Sequence, residues 1–170
     1  MRSVTPCPLP DAALLNVYRR DGGYADCYRT DIALPASLAQ FVEAFYTTPV
    51  FKLERAILKW ALSMPSTDAQ AAQLAAGTGN SFAAWRVEKR AQDQLLLCPV
   101  GKRTRSWLMV APCAAGTRLY FGSAVVPARN SRTGRGSLGA PYRALLGFHR
   151  LYSRILLHAA RSRLEARHHD

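Results

Sequence analysis

His149 is the side chain best suited to proton chemistry. It lies in the run Phe148-His149-Arg150-Leu151-Tyr152. On a helical projection it falls with Tyr142, Leu145, Tyr152, Leu156 and Ala159, spaced three and four apart, while Arg143, Arg150, Arg154 and Arg161 gather opposite. An imidazole on an apolar face needs a hydrogen-bond partner and titrates near neutrality, so it can serve as acid, base or polar anchor. The same position equally suits a core histidine satisfied by a backbone carbonyl or a tyrosine hydroxyl. Trp85, Trp107, Phe121 and Tyr152 are the large walls, with an occasional polar tip, that either line a ligand cavity or pack a sheet against a helix. Arg105, turned inward, would hold a carboxylate or phosphate by two contacts; turned outward, it would pair across strands. The expected ligand-binding set is therefore Trp85, Arg105, Trp107, Phe121, His149 and Tyr152, with His149 the candidate catalytic group.

Other chemistries have less behind them. Asp26 and Asp31 would pair with an arginine, but no second carboxylate stands at an acid/base spacing. Gly122-Ser123 falls within a strand, not on the strand-to-helix elbow of a serine nucleophile. Gly134, Gly136 and Gly139 match neither a dinucleotide nor a P-loop fingerprint. Cys7, Cys27, Cys98 and Cys113 have no metal-ligand spacing, and the last three read as small hydrophobes in strands. No cofactor and no metal are expected.

The elements that would position these residues follow from periodicity. Residues 1–23 read as an N-terminal arm ending at Asp21-Gly22-Gly23, with a short helical turn at Asp11–Tyr18. Tyr24–Leu34 alternates as a strand with neither face purely apolar, as at a sheet edge or beside a partly polar cavity. Ser37 and Gln40 form a capping-box pattern opening a helix that buries Leu38, Phe41, Val42 and Phe45. Pro49 starts a second helix with Phe51, Leu53, Ile57, Trp60 and Ala61 inward and Lys52, Glu54, Arg55 and Lys59 outward. A third, capped by Thr67 or Asp68, ends at Gly77. Four strands follow as a meander, at 82–90, 94–99, 104–113 and 117–127, and a polar loop at 128–139 leads to the final helix, Pro141–Arg163. Helices gathered on one face of an antiparallel sheet make an α+β domain over 24–164, with 165–170 a tail.

The net charge is +12, and no acidic residue stands between Asp93 and Glu165. Arg143, Arg150, Arg154 and Arg161, with Arg129, Arg132 and Arg135 from the loop, would attract anionic lipid or nucleic acid, or simply form a solvated helix face. No apolar run reaches the ~20 residues of a membrane span. The proline-rich start makes a poor signal peptide, so a cytoplasmic location is expected.

Thr48-Pro49-Val50-Phe51-Lys52-Leu53-Glu54, Thr104-Arg105-Ser106-Trp107, Leu119-Tyr120-Phe121-Gly122-Ser123 and Phe148-His149-Arg150-Leu151-Tyr152 carry a resemblance. Together with the element order, they make the chain resemble the START-like, polyketide-cyclase-like (SRPBCC) superfamily, and one bacterial branch of it. The resemblance implies a helix-grip fold, here with fewer and shorter strands than the full sheet, and a hydrophobic cavity between the sheet and the last helix. It implies binding of a small, largely hydrophobic or aromatic molecule there. A cyclase-, dehydratase- or isomerase-like reaction using His149 is the enzymatic alternative.

Overall fold

The structure, a computed structural model, describes residues 3–20, 23–62, 65–99, 104–126, 128–129, 136–137 and 140–168; at 57–59, 61–62, 128–129, 136–137 and 140–148 it describes the backbone alone. The chain runs β1 (Thr5–Pro6), α1 (Asn16–Arg20), β2 (Tyr24–Ile32), α2 (Leu38–Tyr46), α3 (Pro49–Leu62) and α4 (Asp68–Ala76). It continues through β3 (Ser81–Phe82), β4 (Trp85–Arg90), β5 (Gln94–Pro99), β6 (Thr104–Cys113), β7 (Gly116–Val125), β8 (Ala128–Arg129), β9 (Gly136–Ser137) and α5 (Ala140–Arg167). Seven strands form one antiparallel sheet in the order β1-β2-β7-β6-β5-β4-β3, and β8 pairs with β9. The fold is α+β, a long C-terminal helix held against a sheet in the helix-grip manner. No helix among the described residues is long and apolar enough to cross a membrane.

The expected meander is present, but the first of its strands is two. Ala83 takes φ +50°, and Phe82 pairs with Trp85 in a tight hairpin, so 82–90 divides into β3 and β4. The turn lets Phe82 bury its ring against Tyr46 and Phe51, at centroid distances of 5.2 and 6.1 Å. With β1 added at the other edge, the sheet has seven strands rather than a reduced set. A register shift between Val87 and Lys89 bends β4, the usual effect of a bulge.

Capping follows the sequence closely. Ser37 with Gln40 and Thr67 with Gln70 form capping boxes at α2 and α4, and Gly77 closes α4 at φ +79°. In α3 the phase differs from the hydrophobic reading. Phe51 and Arg55 are buried and Glu54 is half-buried, while Leu53 and Trp60 are 64% and 85% exposed. Arg55 can afford burial because its guanidinium is fully used: Nε donates to Ser66 Oγ (2.9 Å), Nη1 to Asp68 Oδ1 (2.6 Å) and Nη2 to the Ser66 carbonyl (2.6 Å). The side chains of Ile57, Lys59 and Ala61 lie outside the described residues. In α5 the buried stripe is Ser153, Leu156, Leu157, Ala160 and Leu164, and Ile155 is exposed.

Both faces of the sheet are covered. Tyr28, Ile32, Leu95, Leu97, Leu108, Leu119 and Phe121 face α2 and α5. The opposite face buries Cys27, Leu96, Trp107, Met109 and Ala124 beneath Leu9, Ala13 and Leu15 of the N-terminal segment. Gln94 fastens that segment: Oε1 accepts from Leu14 N and Trp107 Nε1, both at 2.9 Å, and Nε2 donates to the Ala12 carbonyl at 3.0 Å.

The fold also joins two cysteines twenty residues apart. Cys7 Sγ lies 3.3 Å from Cys27 Sγ, one step along the β1–β2 register from Pro6 and Tyr28. The hydrogen bond with Cys27 lowers the Cys7 pKa, and the charges of Arg29 and Arg118 lower it further, against the effect of burial. Mild oxidation with diamide should therefore join Cys7 to Cys27 within one chain. Intact mass would show the loss of two hydrogens, and Cys7→Ser should abolish it while Cys113→Ser should not.

Candidate functional site

Between α5 and the sheet lies a partly enclosed, mostly apolar cavity of about 210 Å³. Phe45 and Tyr46 come from α2, Phe51 and Glu54 from α3, and Trp85 from β4. The sheet adds Thr104, Ser106, Phe121 and Ser123–Val125; α5 adds His149, Tyr152, Ser153 and Leu156. Aromatic packing shapes the wall, with Phe45 and Phe121 rings 4.8 Å apart and Tyr46 edge-on to Phe51 at 4.7 Å.

Of the six residues expected to bind a ligand, Trp85, Phe121, His149 and Tyr152 line this space. Arg105 touches it along β6, between Thr104 and Ser106, but its guanidinium is committed on the other side of the sheet. There Nε meets Glu88 Oε2 at 2.6 Å, and Cζ sits 4.5 Å from the centre of the Tyr18 ring, whose hydroxyl also donates to Glu88. Trp107 is wholly buried under the N-terminal segment on that same side. Neither is placed to orient a guest, because residues at odd positions in 104–109 turn away from α5.

His149 does not stand alone. Asp26 and Ser123 are direct partners in the β2–β7 register. The Ser123 backbone N–H and hydroxyl both donate to Asp26 Oδ1, at 3.0 and 2.7 Å. His149 Nε2 lies 2.6 Å from Ser123 Oγ and 3.6 Å from Asp26 Oδ2. Since the serine proton is given to Asp26, the network assigns the proton at Nε2 to His149, donating to Ser123 Oγ. That polarity does not activate Ser123 as a nucleophile, which would need a lone pair at Nε2. It makes a chain, His149 to Ser123 to Asp26, and Asp26 also forms part of an open hollow outside with Tyr24, Arg150 and Arg154.

A second polar pair was hidden in the sequence. Tyr152 donates its hydroxyl to Glu54 Oε2, bridging α5 and α3 across the cavity. Burial pushes the Glu54 carboxyl above its usual range, and the Tyr152 hydrogen bond opposes this. Burial, and then the neighbouring Glu54, keep the Tyr152 phenol protonated far into the alkaline range. A raised native pKa means that the folded state holds the Glu54 proton more tightly than the unfolded chain. Its stability contribution is complete below the unfolded value of about 4.3 and is lost as pH rises through the raised native value. Glu54→Gln should thus raise the melting temperature at neutral pH, and the gain should shrink as the pH falls through the raised native value and be gone below about 4. Thermal unfolding at several pH values measures this.

Two further polar atoms, Trp85 Nε1 and Ser153 Oγ, are buried on residues of this wall with no hydrogen-bond partner among the described residues. Such groups are rare in a finished interior.

The cationic face of α5 is partly visible. Arg150 Nε reaches the Tyr24 hydroxyl at 3.2 Å, Arg161 pairs with Glu165 at 3.0 Å, and Arg154 is exposed. The side chains of Arg129, Arg132, Arg135 and Arg143 lie outside the described residues, as do the loop glycines Gly134 and Gly139.

No family model matches the chain, and no curated protein matches it. Solved structures that match include the crystal structure of CalU16 from Micromonospora echinospora, at 12% identity and a TM-score of 0.31, covering 98% of this chain and 94% of that one. At that similarity the match carries no functional conclusion.

Proposed function

We propose that the protein binds a small, largely hydrophobic molecule between its sheet and α5. One observation carries this reading: a cavity of about 210 Å³ whose walls are aromatic yet hold buried polar atoms without partners among the described residues. An apolar cavity of about 150 Å³ admits a benzene, so this space suits a guest of one or two rings rather than a long acyl chain. Native mass spectrometry of the protein from its own host, followed by denaturation, should release such a molecule. An extended lipid, or a guest that remains after the cavity is blocked, would overturn the reading.

The hydrogen-bonded chain His149–Ser123–Asp26 favours a second reading, in which the same cavity carries out a proton-transfer reaction of the cyclase, dehydratase or isomerase kind. His149 would exchange a proton with the bound molecule and Asp26 would balance the imidazolium. On this reading His149→Gln keeps binding and loses turnover by about 100-fold or more. Equal turnover in both forms would leave His149 as a polar anchor only.

A further inference from the structure

Resting on that reading, we propose that the cavity selects an uncharged or cationic aromatic molecule carrying an N–H or O–H donor for Glu54, and rejects carboxylates. The class follows from what surrounds the space. Glu54 presents a carboxyl group from α3, and among the described residues its partner is Tyr152, at Oε2. Asp26, a second carboxylate with 8% side-chain exposure, stands directly behind Ser123. Any anion admitted here would face both.

Arg150 and Arg154 share the outer hollow with Asp26, and each described cation that lines the cavity itself already has an acidic partner. Arg105, the one arginine touching the cavity, is held by Glu88 and Tyr18 on the far face of the sheet. Lys52 and Arg55, on the same helix as Glu54, are both bound to Asp68 at 2.6 Å. His149, when protonated, already has Asp26 as counter-ion at 3.6 Å. A carboxylate leaving water for this site would lose its hydration and gain no ion pair, the costly combination for a buried charge.

A donor finds the opposite. An ammonium at Glu54 forms a charge-assisted hydrogen bond in a poorly hydrated space, and a phenol donates to the same oxygen. The indole N–H of Trp85 has no partner among the described residues and offers a donor to an acceptor elsewhere on the guest. The fit is therefore to a one- or two-ring amine or phenol, such as an arylalkylamine or hydroxyarene.

The groups facing Glu54 set the pH dependence. They are Tyr152 from α5 and Tyr46 from α2, both phenols held neutral by burial; the described cations of α3, Lys52 and Arg55, are paired with Asp68. Because burial raises the Glu54 pKa, amine affinity should strengthen as pH rises through that raised value and the carboxyl ionises.

The test uses four probes on one skeleton, followed by ligand-observed NMR and calorimetry: 2-methylnaphthalene, 2-naphthol, 2-naphthylmethylamine and 2-naphthoate. The amine and the naphthol are expected to bind at least tenfold more tightly than the naphthoate. Glu54→Gln, which keeps the shape and an acceptor, should erase most of the amine's advantage and its pH dependence while leaving the naphthol bound. Naphthoate binding as tightly as the amine, or an amine advantage unchanged in Glu54→Gln, overturns the donor selectivity while leaving the cavity as a hydrophobic site. Failure of all four, the hydrocarbon included, overturns the cavity reading and this inference with it.

Discussion

Trp107→Ala should cost about 3–5 kcal/mol of folding stability, the range for deleting a large buried aromatic. The indole is wholly buried, touches the outer-face cluster of Leu9, Ala13, Leu15 and Met109, and tilts against Tyr120 at 6.2 Å. Its Nε1–H donates to Gln94 Oε1, the oxygen that also receives Leu14 N. Losing the ring therefore opens a void and loosens the attachment of the N-terminal segment at once. With a typical domain stability of about 5–15 kcal/mol, a loss of this size shows plainly in a urea midpoint. Hydrogen exchange should rise first across residues 9–18. Trp107→Phe keeps most of the packing and loses the donor, so a smaller loss is expected, with binding in the cavity on the other face unchanged. An alanine variant of full stability would mean that the segment is not held by this ring.

The placement of Trp107 explains what periodicity could and could not reveal. In Thr104–Cys113 both parities carry large apolar residues: Trp107 and Met109 on one side, Leu108 and Val110 on the other. Where both faces of a strand are buried, alternation gives the pleat but not which face meets the helix. Reading the N-terminal residues as an arm left only one covered face, so Trp107 and Arg105 were assigned to the cavity. His149, Tyr152, Phe121 and Trp85 were legible because the long helix offers a single apolar side and the meander alternates cleanly beside it.

Glu54 and the Asp26–Ser123 pair were not legible, for different physical reasons. A carboxylate next to Lys52 and Arg55 normally faces water, and here Leu53 and Trp60 face it instead. The phase of α3 is fixed by tertiary partners, Asp68 and Ser66 for Arg55 and Tyr152 for Glu54, none of which is local in sequence. Asp26 and Ser123 meet only through a strand register 97 residues apart. The mixed polarity of Tyr24–Ile32 was the available signal, and it pointed to a partly polar cavity without naming the partner.

Gly122→Ala is the second large effect expected, and it couples the two faces. A Cβ at Gly122 would lie 2.7 Å from the Asp26 carbonyl oxygen, 3.0 Å from Trp107 Cε3 and 3.1 Å from Leu15 Cδ2. The leucine can turn aside, but the carbonyl belongs to the neighbouring strand, where Cys27 opposes Gly122 and Asp26 opposes Ser123. Relief requires β2 and β7 to separate, which weakens the hydrogen bonds from Ser123 to Asp26 and leaves His149 without its relay. Overpacking of this kind costs about 1–3 kcal/mol. Ser123→Ala supplies the contrast, since it removes the hydroxyl and leaves the strands paired. Both variants should move the ring proton resonances of His149, but only Gly122→Ala should also speed exchange of the β2–β7 amides and loosen the N-terminal segment. A Gly122→Ala protein with wild-type stability and unchanged His149 ring resonances would mean that the strand contact yields without disturbing the site, and that outer layer and cavity are energetically independent.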